Sequence, residues 1–431
     1  MCIRDRKYLH HSTLVGVLFG LLLLPTLLQA THNRAGEITI EQIDPLTIQA
    51  TITTYTVTSS VQADRDSLTL CWGDGTCDVL IRINGNLGPE GFPQGEPLAN
   101  NTKLNRYRSM HVYPGLGTYK ISMTDPNRNG GIINVNPPNS NMIEFHLQTV
   151  YTLLNPQFEG RNNTPILLQP PIDIGCVGQT FIHNPNAYDV DGDSLSYHLI
   201  VPLRGIDDDT GEEIPVPNYA FPDMISPGAA NNHTLDPVTG DFVWRTPRRP
   251  GDYNIAMIIV EYRQGVALDT MIRDMQILID DCENQPPEIE VVEEICVVAG
   301  DLLELDVVAT DPDMPSQQVD LTARGGPFEV PISPARLEVA PGFQPQALRG
   351  QFVWQTTCEH ISEQPYSVVF RSSDDFELVP ADGSSSTFLS TLKTVRIRVV
   401  GPPPEDVLAM VDQEEITVTW EQPYILSLIH I

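Results

Sequence analysis

The chain has 431 residues, room for three domains of ordinary size, and 56 Asp plus Glu against 25 Lys plus Arg give a formal charge of −31. Nucleic-acid binding needs a basic footprint, so this balance argues against it and suits a soluble extracellular chain with cation-binding loops. The 37 Pro and 30 Gly are spread along the sequence, as expected for many short strands joined by turns.

Residues 1–6, MCIRDR, can be back-translated so that the opposite DNA strand codes residues 426–431, LSLIHI. Two ends of one protein have no physical reason to share a coding duplex, and the string resembles a transposon end used to prepare sequencing libraries. Both hexapeptides are therefore expected to be adapter scars around a fragment. Residues 7–30 read as a signal peptide: Lys7 supplies a basic start, Leu14 to Leu24 an apolar run, and Ala30 a small cleavage residue. The run is short for a membrane anchor, and Pro25 interrupts it. No later segment is apolar for long enough to span a bilayer.

Residues 31–155 carry WGDGT at Trp72–Thr76 and HVYPGLGTYKISM at His111–Met123. A Gly-Asp-Gly turn needs residues that tolerate positive φ, and Cys71 and Cys77 flank it as a natural disulfide pair. This segment resembles a PKD domain, departing from it in those cysteines and in a long insertion before His111.

Residues 156–284 and 285–401 repeat one another. Cys176-Val177 and Cys296-Val297 each lead to an Ala-x-Asp-x-Asp turn. A Gly-x-Phe-Val-Trp-x-Thr strand follows at Gly240–Thr246 and again at Gly350–Thr356. Tyr253 then precedes Glu261, and Tyr366 precedes Asp374, at the same interval. The period of about 110–120 residues is the size of one β-sandwich. Alternating runs such as LELDVVAT and TVRIRVV read as half-buried strands, and no stretch after residue 30 keeps a helical period. The fold class expected is all-β, tandem Ig-like β-sandwich domains in series. DDCENQPPEI at Asp280–Ile289 and GPPPED at Gly401–Asp406 read as linkers, since Pro clusters cannot continue a ladder.

The repeats resemble cadherin-like or related Ig-like modules of bacterial surface proteins. That resemblance implies calcium held by Asp189, Asp191, Asp193 and Glu261 in the first copy, and by Asp311, Asp313 and Asp374 in the second. The linker, similar to the family's Asp-x-Asn-Asp-x-x-Pro, adds Asp280 and Asn284. Calcium takes six to eight hard oxygens, which closely spaced carboxylates supply. DVDGDSLSYHLI is not an EF-hand loop, because its Gly stands fourth and Ile200 occupies the place of the bidentate Glu. The plainer alternative is that these acids form solvated turns.

Setting Cys2 aside with the scar leaves six of the seven cysteines. In an exported chain they read as disulfides, with 15 possible pairings. One pair per domain gives Cys71–Cys77, Cys176–Cys282 and Cys296–Cys358, although Cys282 and Cys296 lie close enough in sequence to pair instead. The four Trp residues, Trp72, Trp244, Trp354 and Trp420, fall one to a module and read as core residues, the alternative being an exposed sugar-binding platform. Asn100–Thr102 and Asn162–Thr164 match the glycosylation acceptor pattern.

Residues 402–425 resemble the opening strands of a fibronectin type III domain. The whole order is similar to large secreted proteins of Bacteroidetes that end in gliding-motility-associated or type IX sorting domains. No G-x-S-x-G, H-E-x-x-H or phosphate loop is present, and the acids lie on turns rather than across a cleft. The expected role is non-enzymatic: a secreted or cell-surface array stiffened by calcium and disulfides, binding an unidentified surface protein or polysaccharide. The alternative is an accessory region of an extracellular hydrolase.

Overall fold

The computed structural model describes residues 33–421 apart from 61–63, 208, 314–316, 379–386, 404 and 413–414. Both hexapeptides and the signal segment lie outside the described residues, as does the side chain of Trp420. The chain is all-β.

The first segment folds into β1 (Asn33–Asp44), β2 (Thr47–Val57), β3 (Ser67–Cys71), β4 (Cys77–Ile81), β5 (Glu96–Pro97), β6 (Thr102–Val112), β7 (Gly117–Asp125) and β8 (Phe145–Leu153). Alternation in β1 and β2 sends Ile38, Ile40, Ile48, Ala50 and Ile52 into one core with Trp72, Tyr107 and Tyr151. The WGDGT turn joins β3 to β4 with φ near +82° at Gly73 and +92° at Gly75, and the Cys71–Cys77 disulfide closes it. Tyr113 Oη donates to the carbonyl of Trp72 at 2.8 Å, anchoring the turn on the HVY segment.

The second segment contributes β9 (Ile166–Leu167), β10 (Ile174–Cys176), β11 (Phe181–His183), β12 (Ala187–Tyr188), β13 (Ser194–Ile200), β14 (Leu203–Ile206), β15 (Glu213–Pro215), β16 (Asn232–Leu235), β17 (Phe242–Arg245), β18 (Gly251–Arg263) and β19 (Val266–Asp280). The third has β20 (Glu288–Glu290), β21 (Glu294–Val298), β22 (Leu302–Thr310), β23 (Val319–Gly325), β24 (Arg336–Glu338), β25 (Leu348–Gln355), β26 (Tyr366–Leu378) and β27 (Thr387–Val400). A hairpin of β28 (Glu405–Asp412) and β29 (Glu415–Glu421) follows.

The third segment is a sandwich of two four-stranded sheets, ordered β20-β22-β25-β24 and β21-β27-β26-β23. Lettered A to G along the chain, these are A-B-E-D and A′-G-F-C, the Ig-like arrangement. The second segment repeats it: β10 runs parallel to β19, which pairs β18, which pairs β13, while β11-β17-β16 faces them. The sequence repeat is thus a repeat of strand order. Trp244 and Trp354 are fully buried and meet Tyr253 and Tyr366 edge-on, at 4.8 and 5.1 Å between ring centroids. Trp72 is equally buried, so these three indoles are core residues and not a platform.

Sheet pairing does not stop between the first two segments. The 15-residue strand β19 pairs β8 through Thr270 and Met271, and pairs β1 through Met275 and Asp274. It thereby joins both halves of the first sandwich into one 12-stranded sheet. Gly36 lets β1 pack closely within the first sandwich, because a Cβ there would lie 2.8 Å from the Thr53 carbonyl of β2 and 2.7 Å from Leu147 of β8. The third segment rests against the second through polar contacts: Arg371 and Ser390 both donate to Asp173, at 2.9 and 2.8 Å, and Thr394 donates to Asp241 at 2.6 Å.

Cys71–Cys77 and Cys176–Cys282 form as expected, which removes the Cys282–Cys296 alternative. The Cys296–Cys358 pair does not form, and both thiols are free. Cys176 is buried, and Cys282 lies just past the end of β19 to reach it. In the second copy Val297 takes the inward direction on β21, so Cys296 points to solvent, and Gly401-Pro402-Pro403 past β27 brings no cysteine to it. Cys358 belongs to a 3-10 turn, Cys358–His360, beyond β25.

Candidate metal centres

The first Asp-rich turn leaves β12 at Asp189 and enters β13 after Asp193, with Gly192 at φ +83°. Asp189 Oδ1 accepts the backbone N–H groups of Asp191 and Asp193, at 2.9 and 3.0 Å, which folds the turn around its own first carboxylate. Asp189 Oδ2 is buried, and no donor reaches it. Glu261 comes from β18, opposite Leu195 and next to a register shift that re-aims the strand. Its side chain is 1% exposed, and neither carboxylate oxygen meets a donor. Oxygens of Asp189, Asp193 and Glu261 lie within 4.8 Å of one another.

Burial, and then the charges of Asp189 and Asp269, push the Glu261 carboxyl far above its ordinary range. Burial also raises Asp189 to about 7 and Asp269 to about 7, and it raises Asp191. Three neighbouring carboxylates, two of them (Asp189 and Glu261) with buried oxygens that meet no donor, are costly in a low-dielectric site, and a proton or a cation relieves that cost. The donor set is oxygen only, which fits calcium or magnesium rather than zinc.

The segment between the first and second sandwiches completes the surroundings. Asn163 binds Asp191 through its backbone N–H at 2.6 Å and its amide at 2.8 Å, so Asp191 turns onto this segment rather than toward Glu261. Asn162 donates to Asp269 at 2.7 Å and to the Thr152 carbonyl at 2.9 Å, and its N–H donates to Gln42 at 2.9 Å. The centre is therefore tied to the first sandwich as well as the second. The same turn walls an open cleft of about 410 Å³ whose far side includes Val330, Ile332 and Tyr366.

The second copy follows the same plan with amides in place of some acids. Asp311 Oδ1 accepts the Asp313 N–H at 3.0 Å, while its buried Oδ2 has no donor. Asn284 donates to Asp374 at 2.8 Å, Gln285 donates to Asp313 at 2.8 Å, and Gln317 donates to Asn284 at 2.5 Å. Burial raises Asp374 to about 7 and raises Asp311 as well.

Asp189, Asp193 and Glu261 are thus brought together, while Asp191 donates its backbone N–H to Asp189 and turns its carboxylate onto Asn163. Asp311, Asp313 and Asp374 are linked through Asn284, Gln285 and Gln317. Asn284 joins the acids of the second copy through its side chain, while its carbonyl accepts from Gln179 of the first copy at 2.6 Å. Asp280 joins neither group: it ends β19 opposite Cys176, and its Oδ1 accepts the Asp281 N–H. The glycosylation reading fails, because Asn162 is 0% exposed with its amide fully engaged and Asn100 is also buried. Asn162, Asn163, Asp269 and Gln285 were not singled out as site residues. A signal for the two linker pairs existed: Asn163 to Asp191 and Gln285 to Asp313 are each 28 residues apart, beside matching Asn-x-x-Pro steps.

No family model matches the chain, and no curated protein matches it. Among solved structures it is similar to the tandem Ig repeats of Dlar, at 13% identity over 56% of this chain and 99% of that one, TM-score 0.21. It is also similar to the N-terminal Ig1-2 module of the Drosophila receptor protein tyrosine phosphatase DLAR, at 12% identity over 55% and 98%, TM-score 0.20. An I-band fragment of titin matches at 10% identity over 85% and 98%, TM-score 0.14. The Ig-like assignment rests on the strand order itself. Among the described residues no helix is long and apolar enough to cross a membrane.

Proposed function

We propose that this chain is a non-enzymatic, modular extracellular or cell-surface protein whose two repeats each bind calcium, in an array serving adhesion, surface anchoring or a gliding-associated role. Asp189, Asp193 and Glu261 would hold the ion in the first copy, and Asp311 with Asp374 in the second. Calcium supplies there a charge that offsets buried carboxylate repulsion. The observation that carries the reading is Glu261: buried, without a donor, and within reach of two further carboxylates. A buried carboxylate without a donor is costly, and a neutral Gln or Thr at this place on β18 would avoid that cost if the role were only structural.

Because Asn162 also binds Thr152 and Gln42, an ion at the first centre would fix the connecting segment to both sandwiches. The signal-peptide reading of residues 7–30 and the resemblance of the sequence to secreted Bacteroidetes proteins support export to the cell surface. Titration calorimetry of the chain with calcium, paired with melting curves in chelator, tests the proposal. Heat of binding and a higher melting temperature with calcium are expected. No heat and no shift would remove calcium from the account.

A further inference from the structure

We infer that Arg263 is a tethered counter-ion of the first calcium centre: it holds the acidic turn together without metal and competes with the metal for Asp193. This rests on the calcium reading above. Arg263 stands two residues after Glu261, at the end of β18. Its Nε lies 3.0 Å from both oxygens of Asp193, and its Nη2 lies 2.5 Å from Oδ2. The same nitrogen is 3.7 Å from Asp191 and donates to Asn162 Oδ1 at 3.3 Å, while Nη1 donates to the Glu159 carbonyl at 3.0 Å. One guanidinium therefore touches three of the groups that surround the centre. A planar fork on a carboxylate is among the stronger ion-pair geometries.

Its position makes it removable. The next residues, Gln264 and Gly265, form the hairpin turn at φ +53° and +78°, and the Arg263 side chain is 20% exposed. The guanidinium can leave for solvent without unpacking the core, whereas Glu261 cannot move. The second copy supplies the contrast. Two residues past Asp374 stands Phe376, 41% exposed, and the acids there are met by Asn284, Gln285 and Gln317. Amides satisfy carboxylate oxygens without cancelling charge. The first centre thus carries a built-in cation that must yield before a metal can use both oxygens of Asp193, and the second does not. Apparent affinity falls by the fraction of time the competing contact persists.

The test uses the full chain carrying Arg263→Met, which keeps the aliphatic stem, and Arg263→Lys, which keeps the charge. Calcium binding is followed by calorimetry with a two-site fit, and melting is followed in chelator. Arg263→Met is expected to tighten one of the two sites by about tenfold, leave the other unchanged, and lower the melting temperature in chelator. Arg263→Lys should fall between it and the parent on both measures. If both affinity and metal-free stability drop together, or if affinity does not change, Arg263 is only a structural tie and the inference is overturned. A parent chain that binds no calcium would instead overturn the calcium reading itself.

Discussion

Arg128 and Asp274 meet in a bidentate ion pair, Nη1 to Oδ1 at 2.9 Å and Nη2 to Oδ2 at 2.6 Å, across 146 residues of sequence. Both side chains are 1% exposed. Arg128 belongs to the first segment and Asp274 to β19 of the second, so the pair is buried in the sheet that the two share. Asn254 adds a donor to Asp274 at 2.8 Å, and the Leu203 carbonyl accepts from Arg128 at 2.8 Å. On the preceding residue of β19, Arg273 lies 3.1 Å from Glu37 of β1, also out of solvent.

Removing one partner from such a pair strands a buried charge, which costs about 3–5 kcal/mol, whereas replacing both by apolar residues is close to neutral. Arg128→Met is therefore expected to destabilise the first two segments together, and Arg128→Met with Asp274→Leu to recover most of the loss. Hydrogen exchange reports this directly: amides of β2 and β18 should open at one common free energy and move together in the single mutant. Independent shifts in the two strands would show that the shared sheet does not couple them.

The metal-free chain should lose stability as pH rises. Asp189, Asp269 and Asp374 have folded values raised to about 7, against about 4 when unfolded, and Glu261 is raised further. A carboxyl raised in the fold favours the folded state while it holds its proton. That contribution is complete below pH of about 4 and is lost as pH rises through about 7. His146 and His183, lowered by burial to about 4 and about 3, act oppositely as pH falls below about 6.5, but they stand against these four carboxyls and against Glu37, Asp191 and Asp311, which are raised as well. Melting in chelator should therefore decline between pH 5 and pH 8 on that account. Calcium replaces the lost protons, so the melting gain it gives should grow over the same interval. A calcium gain that is flat across this interval would contradict the raised values.

The strands and the sandwich repeat were legible because they are written in local chemistry. Gly73 and Gly75 mark a turn, and alternation marks the strands. The Phe-Val-Trp strand with its later Tyr proved to be one packing unit repeated. Asp189 and Asp193 were legible for the same reason, since the Asp-x-Asp-x-Asp turn is contiguous, and Glu261 through its interval after Tyr253, which the second repeat matches. What stayed hidden depends on pairing across long intervals. Nothing near Arg273 or Asp274 announces that β19 pairs β1, because an ionic pair within a strand reads as a solvated face. Asn162 was masked by its resemblance to an acceptor for glycans, and Arg263 by following an apolar strand into a hairpin. Cys296 and Cys358 were assigned to each other by counting, which carries no geometry.

Glu261→Gln separates the role of the charge from that of the shape. The amide keeps the volume and can donate to Asp189 Oδ2, a buried oxygen that now lacks a donor. Metal-free stability should therefore rise, an uncommon result for a buried substitution. Calcium affinity should fall by about tenfold or more, because a charged ligand is gone. Melting curves with and without calcium give both numbers from one protein, and a loss in chelator would place Glu261 in a structural role instead.

The cysteines give the simplest check. A chain starting at Thr31, denatured without reductant, should show two thiols, from Cys296 and Cys358. The Cys176–Cys282 bond spans 106 residues and ties the end of β10, the parallel partner of β19, to the segment leading into the third sandwich. Replacing both of its cysteines by Ser should cost about 2–5 kcal/mol. Cys296→Ser should cost almost nothing, since that side chain already faces water. No titratable thiol, together with a large loss in Cys296→Ser, would show that Cys296 and Cys358 are bonded after all.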